Sequence, residues 1–319
     1  MTDYEIKVRK FENEWSSSDR YVTAHTSGST GKPKEIMLLK SDMLRSAQAT
    51  NAFFGINRDS LLVCPLSVDY IAGKMMMVRA SAAGCNVVME EPSMTPLSSV
   101  PDSAEISLVA IVPAQIPGLL QRGSLSRIRS VIIGGSPLTA EQEKIVARSG
   151  VMAWSTYGMT ETCSHVALRR AGVSGCYEGL PGYIFSTDAR GCLVVENESM
   201  SFRRLVTNDI VELRDSRHFV VKGRFDNVII SGGEKIFPEE MENRVRKEFS
   251  EREFYFTSRS SERWGSEVVM LVEGDEDAET RSRLMEICAT LLPRHHVPKA
   301  IVFQHRFERT SSGKLIRKR

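Results

Sequence analysis

The segment Tyr21-Val-Thr-Ala-His-Thr-Ser-Gly-Ser-Thr-Gly-Lys-Pro-Lys34 decides how the rest of the chain is read. Its first five residues carry a short strand signal. The next nine form a loop of glycines, hydroxyls and lysines, and a helical pattern opens soon after it, near Ser41. Gly28 and Gly31 admit backbone conformations closed to other residues. The hydroxyls of Thr26, Ser27, Ser29 and Thr30, with Lys32 and Lys34, can then surround a polyphosphate while backbone N–H groups point inward. This is not a Walker A loop. That motif needs four residues between its glycines and a Ser or Thr after its lysine, whereas here two intervene and Pro33 follows Lys32. A flexible polar linker is the plain alternative, and the position directly after a buried-looking strand argues against it.

Outward from the loop, strand and helix signals alternate between Arg20 and Ser155. Strands are predicted at Tyr21–His25, Leu61–Cys64, Asn86–Met89, Ser107–Val112, Ser130–Ile133 and Met152–Thr156. Helical periodicity falls at Ser41–Phe54 and Asp69–Ala82, and Thr139 with Gln142 has the spacing of a capping box at the head of Thr139–Ser149. Such alternation predicts an α/β fold, with a larger N-terminal domain whose largely parallel sheet is flanked by helices. After Cys163, shorter strands at Cys192–Glu196, Arg203–Thr207 and Phe219–Val221 predict a small β subdomain packed on that sheet.

A second change falls near Gly223–Asn227. Beyond it, helix Pro238–Phe249 repeats apolar residues at Met241, Val245 and Phe249, which gives one buried face. Strands Glu253–Ser258 and Glu267–Glu273, helix Ala278–Leu291 and strand Lys299–Phe303 complete an α+β unit. The expected division is residues 1–225 and a small mobile domain at 226–319.

Composition sets the outer bounds. A chain of 319 residues with 41% hydrophobic and 26% charged residues is globular and long enough for two domains. Lys and Arg total 42 against 40 acidic residues, a formal charge of +2, so nothing general draws it to nucleic acid or a membrane surface. The six cysteines contain no C-x-x-C pair, which fits neither a zinc site nor a disulfide framework and suits buried thiols in a reducing compartment. The N-terminus is too polar for a signal peptide. The apolar stretch Tyr70–Met89 is broken by Lys74, Arg79 and Asn86, so no membrane span is expected. A cytoplasmic protein follows as the expectation, and a homo-oligomer is compatible with it.

The loop Thr26–Lys34 closely resembles the phosphate-binding signature of the adenylate-forming (AMP-binding) enzymes. Those enzymes join a carboxylate to AMP and usually pass the acyl group to coenzyme A or a carrier thiol. Five further signatures follow in the family's order. Gly134-Gly135-Ser136-Pro137 resembles the adenine-side loop. Tyr157-Gly158-Met159-Thr160-Glu161 resembles the segment whose Tyr stacks on adenine and whose Thr and Glu lie beside phosphate and Mg²⁺. Thr207-Asn208-Asp209 is similar to the element whose Asp binds the ribose hydroxyls. Gly223-Arg224, with Ser231-Gly232-Gly233 after it, resembles the hinge and the glycine loop on the coenzyme A side, with Asp226 as the hinge position. Arg309-Thr-Ser-Ser-Gly-Lys314 resembles the C-terminal signature that carries the catalytic lysine.

Chemistry agrees with these roles. Asp209 can accept two hydrogen bonds from a vicinal diol, although a turn aspartate at a strand end is the ordinary alternative. Glu161 is a hard carboxylate suited to Mg²⁺, which takes few protein ligands beside phosphate oxygens. Lys314 sits in a basic tail where simple solvation is the ordinary state, and it can act only by folding over a site on the other domain.

Two departures stand out. Family members are usually considerably longer, and the N-terminal subdomain is expected to be almost entirely absent here. The acidic residue often found after the hinge position is Asn227.

The block Tyr70-Ile-Ala-Gly-Lys-Met-Met-Met-Val-Arg-Ala80 resembles that of short bacterial o-succinylbenzoate–CoA ligases of menaquinone biosynthesis. Isolated Lys74 and Arg79 in an apolar helix are ordinarily snorkelling charges. The resemblance implies instead a cation for the substrate's second carboxylate, with Lys74 ahead of Arg79. The adjacent His295 and His296 diverge and are read as structural. The expectation is an ATP-dependent acid–CoA ligase using ATP, Mg²⁺ and coenzyme A, with o-succinylbenzoate as the acid. The alternatives are an enzyme adenylating another aryl or acyl acid, including carrier-protein loading, and a non-enzymatic AMP/ATP-binding protein.

Overall fold

In the computed structural model, the chain is described for residues 1–25, 34–121, 125–261, 265–309 and 315–317. The first element is one that the strand–helix alternation does not announce. Thr2 and Glu5 form a capping box, with Thr2 Oγ1 accepting from Glu5 N at 3.2 Å and Thr2 N donating to Glu5 Oε2 at 2.8 Å. They start α1 (Asp3–Ser16), which buries Tyr4 and Phe11.

Next come β1 (Tyr21–His25) and β2 (Glu35–Leu39), an antiparallel pair that flanks the glycine-rich loop. α2 (Lys40–Phe54), β3 (Leu61–Cys64), α3 (Ile71–Ala83) and β4 (Asn86–Met89) follow. After them lie β5 (Leu108–Ile111), α4 (Ile116–Leu120), β6 (Val131–Ile133), α5 (Ala140–Ser149) and β7 (Ala153–Gly158). Thr139 caps α5 as its spacing with Gln142 predicts.

Strands run in the order β4-β3-β5-β6-β7, all parallel. Alternate residues serve opposite faces. Leu62, Leu108, Ala110 and Ile132 pack with Met76 and Ala80 of α3 and Phe54 of α2, while Val63, Val109, Ile111, Val131 and Ile133 pack with Ile116, Leu119 and Val146 of α4 and α5. Burial on both faces is what a parallel sheet joined by crossover helices requires.

The antiparallel half is β8 (His165–Arg170), β9 (Tyr177–Gly179), β10 (Ile184–Thr187), β11 (Cys192–Asn197), β12 (Arg203–Leu213) and β13 (His218–Arg224). The sequence predicts a subdomain laid on the sheet. In the structure these strands continue it edge to edge, because β8 pairs antiparallel with β7 and hands the hydrogen bonding on through β9 and β13. Among the described residues the result is one mixed sheet of eleven strands.

The remaining elements are β14 (Ile229–Ser231), β15 (Glu234–Ile236), α6 (Pro238–Val245), β16 (Phe254–Ser261), β17 (Gly265–Glu273), α7 (Ala278–Leu291) and β18 (Ala300–Gln304). Gly232 and Gly233, at φ of 57° and 83°, close the β14–β15 hairpin in two residues, a turn that needs left-handed backbone at both. This unit has a core of its own, in which Met241, Val245 and Phe249 meet Phe254, Met270, Leu284 and Ile301. Arg317 anchors the end of the described chain to it through a buried two-pronged pair with Glu242, both contacts at 2.6 Å.

Candidate active site

Ligands in open α/β sheets bind beyond the carboxyl ends of the strands. Two predicted signatures lie there, side by side. Gly134-Gly135-Ser136-Pro137 leaves the end of β6, and Tyr157–Glu161 forms the end of β7 and the turn after it. The two chains touch. A Cβ on Gly134 would lie 2.7 Å from Thr156 Oγ1, so only glycine lets the loops approach this closely. Gly135, at φ 92°, turns the first loop outward and leaves Ser136 and Pro137 exposed.

Asp209 arrives from the antiparallel half. On β12 it stands opposite Arg224 of β13. Arg224 Nη1 donates to its Oδ1 at 3.1 Å, and the Tyr157 hydroxyl donates to its Oδ2 at 2.7 Å. Burial and the Asp209 charge push the Tyr157 phenol well above its usual range, which keeps it a donor. The Tyr157 ring packs edge-on against Phe219 and Tyr177 and stays partly exposed. Each carboxylate oxygen has a second lone pair, so an oriented Asp209 can still accept from two adjacent hydroxyls.

Arg224 also reaches Asp226, the hinge position that the sequence predicts. Its Nη2 donates to Asp226 Oδ2 at 3.1 Å, and Asn208 Nδ2 donates to the same oxygen at 3.3 Å. One guanidinium therefore spans the Asp209 and Asp226 carboxylates. Asn227 donates to Glu239 of α6 at 2.5 Å, tying the segment after Arg224 to the unit that follows.

After Gly158 and Met159 the chain makes a tight helical turn over Thr160–Thr162. Thr162 Oγ1 accepts from Met159 N at 3.1 Å, and Cys163 follows at φ 63°. Glu161 is exposed on this turn beside Thr160. Among the described residues no three His, Cys, Asp or Glu side chains converge as a ligand set. One hard carboxylate fits a Mg²⁺ that arrives on nucleotide phosphates.

The two helix cations have different fates. Lys74 Nζ lies 3.5 Å from Glu14 Oε2 and 4.4 Å above the Phe11 ring, so α1 supplies both its counter-charge and its packing. Arg79 is 1% exposed and has no ion pair among the described residues. Its Nη2 donates to Ser164 Oγ, its Nη1 lies 3.5 Å from Met76 Sδ, and its Nε has no partner. Burial pulls its pKa down to about 10. The sequence ranks Lys74 ahead of Arg79, and of the two it is Lys74 whose charge is compensated. An uncompensated buried cation at the foot of the 157–161 turn is the costlier arrangement and the readier partner for an anion.

Thr26, Ser27, Gly28, Ser29, Thr30, Gly31, Lys32 and Lys314 lie outside the described residues, while Lys34 is exposed before β2. Ser231, Gly232 and Gly233 form the β14–β15 turn. His296 bonds Glu234 at 2.9 Å, consistent with a structural role. Sequence reasoning missed Glu14, Ser164 and His165. Nothing in their spacing marks them, because their partners lie on α3 and α2.

A model of the AMP-binding enzyme family matches residues 3–190. A 2-succinylbenzoate–CoA ligase of Listeria monocytogenes serotype 4b (strain F2365) is 27% identical over 346 residues, covering 99% of this chain and 72% of that protein. An acyl-CoA synthetase (AMP-forming)/AMP-acid ligase II-like protein of Dyadobacter fermentans aligns in structure with a TM-score of 0.66 at 31% identity, over 98% of this chain and 92% of that one. An o-succinylbenzoate coenzyme A synthetase of Bacillus subtilis, in complex with ATP and magnesium ion, shares the fold with a TM-score of 0.82 at 21% identity, over 92% and 68%. With the match spanning more than half its residues, this chain belongs to the AMP-binding enzymes, the adenylate-forming acid–CoA ligases.

Proposed function

We propose that the protein is an o-succinylbenzoate–CoA ligase, which adenylates one carboxylate of a dicarboxylic aromatic acid with ATP and transfers the acyl group to coenzyme A. The observation that carries the substrate is Arg79. A buried guanidinium without a counter-ion, packed on Ser164 three residues beyond Glu161, calls for an anionic group on the substrate itself. An acid with a second carboxylate supplies it. The relatives' names agree with that chemistry.

In this reading Asp209, oriented by Tyr157 and Arg224, holds the ribose diol, and the Gly134–Pro137 loop flanks the adenine. Lys32, Lys34 and the loop hydroxyls neutralise the triphosphate as the carboxylate attacks the α-phosphorus, the α–β phosphoanhydride bond breaks and pyrophosphate leaves. Glu161 and Thr160 would hold Mg²⁺, which lowers the charge repelling that attack. Lys314 stabilises charge on the α-phosphate and carboxylate oxygens. The unit from Asp226 onward then turns about the hinge, withdraws Lys314 and brings Ser231–Gly233 towards the thiol, which displaces AMP.

The test is product analysis with ATP, Mg²⁺, coenzyme A and either o-succinylbenzoate or its analogue lacking the benzoate carboxyl. Strong preference for the diacid, with AMP and thioester formed in equal amounts, supports the reading. Equal use of both acids returns the substrate to other aryl or acyl acids. Lys314→Ala should lower adenylate formation by roughly two to three orders of magnitude and spare thioester formation from supplied acyl-adenylate. Equal loss in both steps would remove the domain rotation.

A further inference from the structure

The Arg79 guanidinium rests on Ser164, and Ser164 rests on a buried histidine. His165 opens β8, is 5% exposed, and joins α2 to the residue before β8 through its ring. Its Nε2 lies 3.1 Å from Thr50 Oγ1 of α2, and its Nδ1 lies 3.4 Å from Ser164 Oγ. With the Thr50 hydroxyl donating to Ser46, the donor and acceptor roles along this chain follow from that end. Thr50 spends its only proton on the Ser46 carbonyl, at 3.0 Å. Its oxygen must then accept from His165, so Nε2 carries the ring proton and Nδ1 is bare. A bare Nδ1 accepts the Ser164 hydroxyl proton. The Ser164 oxygen is left with lone pairs only, which is what Arg79 Nη2, a pure donor, requires.

We propose that His165 is a positioning residue for substrate selection: locked by Thr50 as the neutral Nε2–H tautomer, it turns the Ser164 hydroxyl so that its lone pairs hold Arg79 in place for a second carboxylate. A second proton on the ring would make Nδ1 a donor, so that Ser164 faced two cations with no acceptor for its own proton. Burial and the Arg79 charge both oppose that proton. The sequence offers no hint of this relay, since Thr50, Arg79 and His165 meet only where α2 and α3 pack beside the β7–β8 turn. The inference rests on the reading of Arg79 as the partner of the distal carboxylate.

The test compares kcat/KM for o-succinylbenzoate with that for the analogue lacking the benzoate carboxyl. His165→Phe should reduce the diacid-to-monoacid ratio about tenfold, the scale of one hydrogen bond to a charged group, through the diacid KM. His165→Asn, whose Oδ1 can stand in for Nδ1, should recover most of it. Long-range ¹⁵N–¹H spectra of the histidine-labelled parent protein should show His165 protonated at Nε2 and bare at Nδ1. That measurement needs no variant to fold. A protonated Nδ1, or equal losses for diacid and monoacid in His165→Phe, overturns the proposal. Arg79→Lys separates the two levels. If it leaves the ratio unchanged, the substrate reading fails and His165 falls with it. If it collapses the ratio while His165→Phe does not, only the His165 relay is wrong.

Discussion

Tyr157 donates its hydroxyl to Asp209 at 2.7 Å, joining residues 52 positions apart in sequence. The bond ties the turn after the last parallel strand to the antiparallel half of the sheet. Arg224 holds the other carboxylate oxygen, so Asp209 is fixed at both ends while its side chain keeps 15% exposure. These two donors fix the direction in which the free lone pairs of Asp209 point.

Asp209→Asn should weaken ATP binding by about 1–2 kcal/mol, the difference between charge-assisted and neutral hydrogen bonds. Tyr157→Phe should cost about 1 kcal/mol, and the double variant less than the sum, because both act on one carboxylate. Titrations with 2′,3′-dideoxy-ATP check the assignment. An Asp209→Asn penalty of the same size for the dideoxy nucleotide would make Asp209 structural.

Arg79→Lys should lower kcat/KM for the diacid about ten- to a hundredfold, since a lysine cannot reproduce the guanidinium's fork. Lys74→Met should leave diacid preference intact and cost about 1 kcal/mol in a urea titration, through the lost contacts with Glu14 and the Phe11 ring. A Lys74→Met enzyme that no longer prefers the diacid would restore Lys74 as the substrate's cation.

Arg317→Ala should destabilise the unit around β16 and β17 by about 3–5 kcal/mol, because it strands the Glu242 carboxylate in an apolar core. Replacing both partners with leucine should recover much of that loss. Hydrogen exchange at Phe256 and Met270 reads the effect locally, and unchanged protection there would show that the pair contributes nothing to this core.

His165 should make the fold sensitive to acid. Burial and neighbouring Arg79 on α3 hold its pKa well below the ordinary 6.5 in the folded protein. The unfolded chain therefore binds a proton that the folded chain refuses. Stability is fully present above pH 6.5 and falls as the pH drops towards the folded value, so that it is lower at about pH 5 than at about pH 7. His165→Gln should flatten this slope in denaturation measured at the two pH values, and an unaltered slope would assign the acid sensitivity to other groups.

Much of the fold was legible in the sequence because its signals are local. The capping box at Thr139 sets the start of α5, the β-branched runs at Leu61–Cys64 and Asn86–Met89 form strands with those bounds, and helix Ala278–Leu291 is α7 itself. The glycine-rich loop, the Gly134–Pro137 and Tyr157–Glu161 segments and Asp209 were recognisable for the same reason, since each is a short pattern. Tertiary structure decided the rest. Whether β8–β13 pack on the sheet or extend it depends on hydrogen bonding at one strand edge, which side-chain pattern does not encode. Which of Lys74 and Arg79 keeps a counter-ion depended on where α1 docks, because a charge is neutralised by what lies across space from it. The tautomer of His165 depended on a threonine 115 positions earlier in the chain. Propensity and periodicity are properties of neighbours along the chain, whereas charge compensation and proton order belong to neighbours in space.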